Sequence, residues 1–221
     1  MSVVTFEDIV RSEKIRTYIR QADATLIALG FTEHSFTHVG KVAQEASFIL
    51  SELGYSDHEV ELARIAGYMH DIGNVINRID HAQSGACMAF RILEEMGMPA
   101  QDVALIVTAI GNHDESTAFP VNAIAAALIL ADKTDVRRSR VRNIDPSTFD
   151  IHDRVNYAVE ESHVVLDKEA KTLTSFLTID TNMCAIMDYF EIFMGRMLLC
   201  RKAAAFFELD FKLNINGQTV L

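Results

Sequence analysis

The sequence predicts a mainly α-helical protein with a small α+β appendage at its C-terminal end. Three observations carry that expectation. Apolar residues recur with helical period between about residue 5 and about residue 142. Capping residues stand ahead of those periodic runs and glycines behind them. After Asp145-Pro146 the chain turns β-branched and partly alternating, as strands do. The expected division is therefore an all-α domain over 1–145 and an appendage over 146–221.

Thr5 or Ser12 caps a first helical stretch running to about Leu29, with Gly30 as its stop. Thr32 precedes a second helix, periodic at Val39, Val42, Ala46, Ile49 and Leu53 and closed by Gly54. Ser56-Asp57-His58-Glu59 is a capping box that opens a third, running through Leu62, Ala66 and Met69 to His70. A fourth begins near His81, carries Gly85, Ala89, Leu93 and Met96, and stops at Gly97. Pro99 suits the first turn of a fifth with Val103, Ile106, Val107 and Ile110, and Pro120 opens a sixth with Val121, Ile124, Ala125 and Leu128. In the appendage, "RVNYAVEESHVVL" and "KTLTSFLTID" flank the turn-like Asp167–Ala170 and read as a hairpin. Residues 183–207 form a long amphipathic helix, and "ELDFKLNING" alternates as a third strand. The helix's Met and Phe stripe (Met187, Phe190, Phe193, Met194, Met197) is expected to be core, with a homodimer contact as the alternative.

The 221 residues are 49% hydrophobic and 23% charged, enough for one ample core. No apolar run reaches membrane-spanning length, and the N-terminal segment carries early acids without an apolar signal core. Cys87, Cys184 and Cys200 are far apart, which reads as reduced, buried thiols in a cytoplasmic protein. A net charge of −11 argues against binding a nucleic-acid duplex by bulk attraction. A small anionic substrate held by a local cation remains compatible with it.

"GYMHDIGN" ends an apolar helix on adjacent His70 and Asp71. His38 sits four before Val42, His81 four before Gly85, His113 three after Ile110 and Asp132 four after Leu128, each on the inward stripe of its helix. One inward histidine is ordinarily a hydrogen-bonded core residue. Several isolated buried ions would cost several kcal/mol apiece, whereas a shared cation would compensate them together. Imidazole and carboxylate are the ligands of Zn, Mn, Fe and Ni sites.

In order, "SFTHVGKVA", "AGYMHDIGN" and "LILADKTDV" resemble the three core motifs of the HD superfamily of metal-dependent phosphohydrolases. "DHAQSGA" and "AIGNHDE" resemble the two further His motifs of members that hold two metals. The resemblance covers roughly residues 32–142. It is nearest to the bacterial diadenosine-tetraphosphate hydrolases. The paired His of the HD-GYP phosphodiesterases and the Glu-Asp pair of the (p)ppGpp hydrolases are missing.

The resemblance implies an HD-domain helical bundle and two metal positions. His38, His70, Asp71 and Asp132 would hold one divalent ion (Fe, Mn, Zn, Ni or Co). His81 and His113 would hold a second, with Asp71 bridging. It implies hydrolysis of a phosphate ester or anhydride of a nucleotide-like substrate by a metal-activated hydroxide, with Asp71 and Lys133 catalytic. A non-catalytic nucleotide-sensing module using the same pocket is the alternative. His34, Arg137 and Arg138 are candidate substrate contacts, Arg137 and Arg138 as part of a cationic run with Arg140 and Arg142 in an otherwise acidic chain. For each of these, as for Lys133, a solvated or ion-paired role is the competing reading.

Overall fold

A computed structural model describes residues 4–221. It comprises two compact units, Met1–Asp132 and Lys133–Leu221. The expected division near residue 145 tracked the change in composition. The compact division lies earlier because residues 133–148, though not β-like, pack with the rest of the second unit: the 3-10 turn Arg138–Arg140 contacts the helix Ile151–Ala158.

Among the described residues, every regular element of the first unit is a helix. Both proposed caps are used, so the first stretch is two helices: α1 (Phe6–Arg11), capped by a Thr5–Asp8 box, and α2 (Glu13–Ala28), capped by Ser12. The third, α3 (Phe36–Glu52), begins later than Thr32 because Ser35 is its N-cap. The Ser56–Glu59 box opens α4 (Asp57–Met69) as expected. A 3-10 turn, Ile72–Val75, leads to α5 (His81–Glu95). Pro99 lies just outside α6 (Ala100–Gly111) as its N-cap. α7 (Ala123–Lys133) starts three residues after Pro120, where the Asn122 side chain accepts from the Ala125 amide at 2.8 Å.

α3 packs along α4 and α5 along α6, while α4 also touches α6. Every residue of α7 from Ile124 to Lys133 is buried, making it the most enclosed helix of the unit. Two glycine contacts set the spacing. A Cβ on Gly67 would lie 2.7 Å from the Ala43 Cα, so α3 and α4 meet backbone to backbone. A Cβ on Gly73 would lie 2.0 Å from the His81 carbonyl oxygen, so the turn after His70-Asp71 is pressed onto the first turn of α5.

In the second unit, residues 154–158, expected to be strand, instead belong to α8 (Ile151–Ala158). The Asp150 side chain caps that helix, and local capping overrides the β-branched composition. The hairpin forms from β1 (Val159–Asp167) and β2 (Thr172–Ile179). The third strand, β3 (Asp210–Ile215), runs parallel to β2, and a short β4 (Gln218–Thr219) completes the order β1-β2-β3-β4. The parallel pair requires a crossover, which α9 (Ile186–Phe206) supplies. On α9, Tyr189, Phe193, Met197 and Cys200 are buried, whereas Met187, Met194 and Leu198 are exposed. The expected core stripe is thus two faces. Cys184 and Cys200 are buried, but Cys87 is exposed on α5, contrary to expectation.

Candidate metal centre

The five residues read from helical faces and Asp71, the neighbour of His70, lie together, and nearly all stand at helix ends. His38 is in the first turn of α3, His70 caps α4 with Asp71 directly after it, His81 opens α5, and Asp132 is next to last in α7. His113 differs from expectation. α6 ends at Gly111, so His113 enters from the connecting segment rather than extending the Ile110 stripe. All six are buried, the most exposed being Asp132 at 8%.

Three of the imidazoles are held alike. The Nδ1 atoms of His70, His81 and His113 lie 2.8, 3.0 and 2.6 Å from the carbonyl oxygens of Gly67, Arg78 and Ile110, each three residues earlier. A carbonyl only accepts, so each Nδ1 carries the proton and each Nε2 presents a lone pair inward. Backbone bonds of this kind fix tautomer and ring orientation in metal-ligating histidines.

The two oxygens of Asp71 face different partners. Oδ2 lies 3.3 Å from His70 Nε2 and 3.6 Å from His38 Nε2. Asp132 Oδ1 closes that set at 3.4 Å from His38 Nε2 and 3.7 Å from His70 Nε2. Oδ1 of Asp71 lies 3.4 Å from His81 Nε2 and 3.9 Å from His113 Nε2. Among the described residues, three overlapping donor groups could hold a metal ion: His38, His70 and Asp71; His70, His113 and Asp132; and Asp71, His81 and His113.

The donors fit divalent ions on chemical grounds. His70 Nε2 and Asp71 Oδ2 are buried and make no hydrogen bond, although unsatisfied buried polar atoms are costly. The Nε2 atoms of His81 and His113 are 3.2 Å apart. With both Nδ1 atoms donating to carbonyls, those two lone pairs oppose each other unless a proton or a cation intervenes. Burial pushes the His70 pKa down, but the carboxylates of Asp71 and Asp132 outweigh it and the net shift is upward. Burial likewise pushes Asp71 up, yet the imidazole of His70, and after it those of His34 and His81, hold it well below the usual carboxylate range. The cluster therefore favours Asp71 in its charged form and carries a demand for positive charge.

Two neighbours escaped the sequence reasoning. Asn74 donates to Asp71 Oδ1 at 2.9 Å and to its backbone oxygen at 3.0 Å, which fixes the rotation of the carboxylate. Arg78 places Nη1 3.3 Å from His81 Nε2. The available signal was spacing: Asn74 stands three after Asp71, and Arg78 three before His81. Asp114 Oδ1 is 4.0 Å from His81 Nε2. His34 stands ahead of α3 in a loop, and its ring meets His38 edge-on at 5.4 Å. Lys133, one reading of which was a solvated helix end, is buried as the last residue of α7. Arg137 Nε donates to Asp135 Oδ1 at 2.9 Å, and Arg138 Nε to the Tyr157 backbone carbonyl oxygen at 2.5 Å, within the second unit.

The HD domain family model matches residues 35–148, more than half of the chain, and the chain belongs to that family. Its members bind divalent metals. An uncharacterized protein of Methanocaldococcus jannaschii is 24% identical over 170 residues, covering 66% of this chain and 65% of that protein. The chain thus spans a little under two thirds of the length of that curated relative. The crystal structure of a predicted HD superfamily hydrolase from an uncultured Thermotogales bacterium shares 28% identity, with a TM-score of 0.45 over 56% of this chain and 67% of that one. Among the described residues, no helix is long and apolar enough to cross a membrane.

Proposed function

We propose that the chain is a metal-dependent phosphohydrolase that cleaves a phosphate ester or anhydride of a small, nucleotide-like substrate, with dinucleoside polyphosphates as the first class to test. The observation that carries this reading is the division of Asp71 between two histidine sets, 3.3 Å on one side and 3.4 Å on the other. Such a carboxylate suits a pair of ions rather than one. His38, His70, Asp71 and Asp132 would hold the first ion, and His81, His113 and Asp71 the second. Divalent ions held there supply Lewis acidity toward phosphoryl oxygens and lower the pKa of water.

The chain's own residues set the stage for that chemistry. The carbonyls of Gly67, Arg78 and Ile110 keep three Nε2 lone pairs aimed at the centre. Asn74 keeps Asp71 from rotating, so its two oxygens stay assigned to two sides. Asp132 or Asp71 offers the carboxylate oxygen that accepts a proton from water as it attacks phosphorus. Lys133, covalently next to Asp132, is the candidate for protonating the leaving oxygen.

The test is turnover by metal-stripped protein reloaded separately with Mn2+, Fe2+, Co2+, Ni2+ or Zn2+, against mononucleotides, dinucleoside polyphosphates and generic phosphomonoesters and diesters. Phosphate or nucleotide release with at least one metal is expected, and its loss in Asp71→Ala. Protein that binds metal and shifts its melting temperature with nucleotide, yet releases no product, would instead be a nucleotide-sensing module.

A further inference from the structure

We infer that Arg78 is a built-in competitor for the second metal position, so that the two donor sets fill at different metal concentrations. The inference rests on the two-set reading of the centre above. Arg78 holds both ends of one imidazole. Its backbone oxygen accepts the Nδ1 proton of His81 at 3.0 Å, and its Nη1 lies 3.3 Å from Nε2 of the same ring. Because Nδ1 is the donor, Nε2 is an acceptor, and the guanidinium donates to it. That lone pair is the one an ion in the second set would take, and it cannot serve both.

The remaining contacts of Nη1 point the same way. It lies 4.0 Å from Asp71 Oδ1, the oxygen on the second set's side, and donates to Asn74 Oδ1 at 3.4 Å. A guanidinium there meets two of the three donor atoms of that set and repels a divalent ion at close range. The side chain is 27% exposed, with Cζ 5.6 Å from the centre of the Phe31 ring. The guanidinium thus already borders solvent while resting against Phe31, and it can withdraw outward when an ion takes its place. The first set meets Asp71 through the other oxygen, Oδ2. Arg78 thus sets the metal stoichiometry through His81 and is a positioning residue rather than a ligand.

The test is a titration of the metal-stripped full chain with Mn2+, following free ion and the exchange-coupled signal of a close pair by electron paramagnetic resonance. Wild type is expected to bind in two steps, the second weaker. Arg78→Gln should tighten the second step roughly ten- to a hundredfold, the worth of the charge-assisted hydrogen bond removed, and leave the first unchanged. Arg78→Met should behave alike, so a folding defect in one variant does not decide the matter. Arg78→Lys, which keeps the charge, should tighten it less, and His81→Ala should abolish it. A second step that is unchanged or weakened in both neutral variants overturns the inference, as do two wild-type steps of equal affinity. Absence of Mn2+ binding in wild type sinks the reading of the centre itself. Two steps without turnover of any phosphate substrate sink the proposed activity and leave this inference standing.

Discussion

Gly73→Ala is the substitution whose effect the geometry fixes most sharply. The added Cβ would lie 2.0 Å from the His81 carbonyl oxygen and 2.5 Å from the Gly85 amide nitrogen, where ordinary contact begins at 3.4 Å. Both neighbours are backbone, so no side chain can turn aside, and roughly 1.4 Å must be made up by moving the Asp71–Gly73 corner away from α5. Gly73 has no left-handed φ, so the penalty is purely steric. Overpacking that side chains can absorb costs about 1–3 kcal/mol; with backbone on both sides, about 4 kcal/mol or more is expected. Gly85→Ala is the control. Its Cβ would come only to 3.1 Å from Gly73 N, and alanine in a helix interior gains back about 1 kcal/mol, so the net change should stay within about 1 kcal/mol. Urea denaturation monitored by far-ultraviolet circular dichroism compares the two. The clash falls on His81, so Gly73→Ala should also lose the second donor set before the first. A Gly73→Ala protein within about 1 kcal/mol of wild type, or less perturbed than Gly85→Ala, refutes this packing of the corner on α5.

Asn74→Ala removes the bond that orients Asp71 and should weaken metal binding about ten- to a hundredfold by calorimetry; unchanged affinity would contradict an orienting role. Protons compete with metal for imidazole Nε2 atoms. Because the His70 pKa is raised above its ordinary 6.5, metal affinity should begin to fall while the pH is still above that value, and keep falling on acidification. Affinity that rises as the pH drops would be the wrong sign. Ser56→Ala breaks the capping box of α4 and should cost about 1 kcal/mol in denaturation experiments. It should leave metal stoichiometry unchanged, since the cap lies at the far end of α4 from His70.

Much of this was legible because helices announce themselves locally. The Ser56–Glu59 box and the left-handed glycines at 30, 54 and 97 stand where periodicity and capping rules put them. That the side chains of the centre lie together was partly legible, because burying charge is costly and His38, His70, His81 and Asp132 fall on or at the end of apolar helical stripes. What escaped depends on contacts the stripe does not encode. His113 lies outside α6 and reaches the centre from the connecting segment, so its inward aim owed nothing to helical spacing. Residues 154–158 include the strand formers Val155 and Tyr157 yet are helical, because the Asp150 cap and burial of Val155 and Ala158 outweigh weak strand propensity. Asn74 and Arg78 look like ordinary loop polar residues until Asp71 and His81 are seen to turn toward them.

The central claim is that side chains distant along the chain converge on shared cations, with Asp71 between them. Anomalous difference maps from crystals of the full chain soaked in saturating Mn2+ test it most directly. Two peaks are predicted, one in reach of His38, His70, Asp132 and Asp71 Oδ2, the other of His81, His113 and Asp71 Oδ1. Manganese bound elsewhere on the chain, or no ordered manganese beside Asp71, would contradict the account.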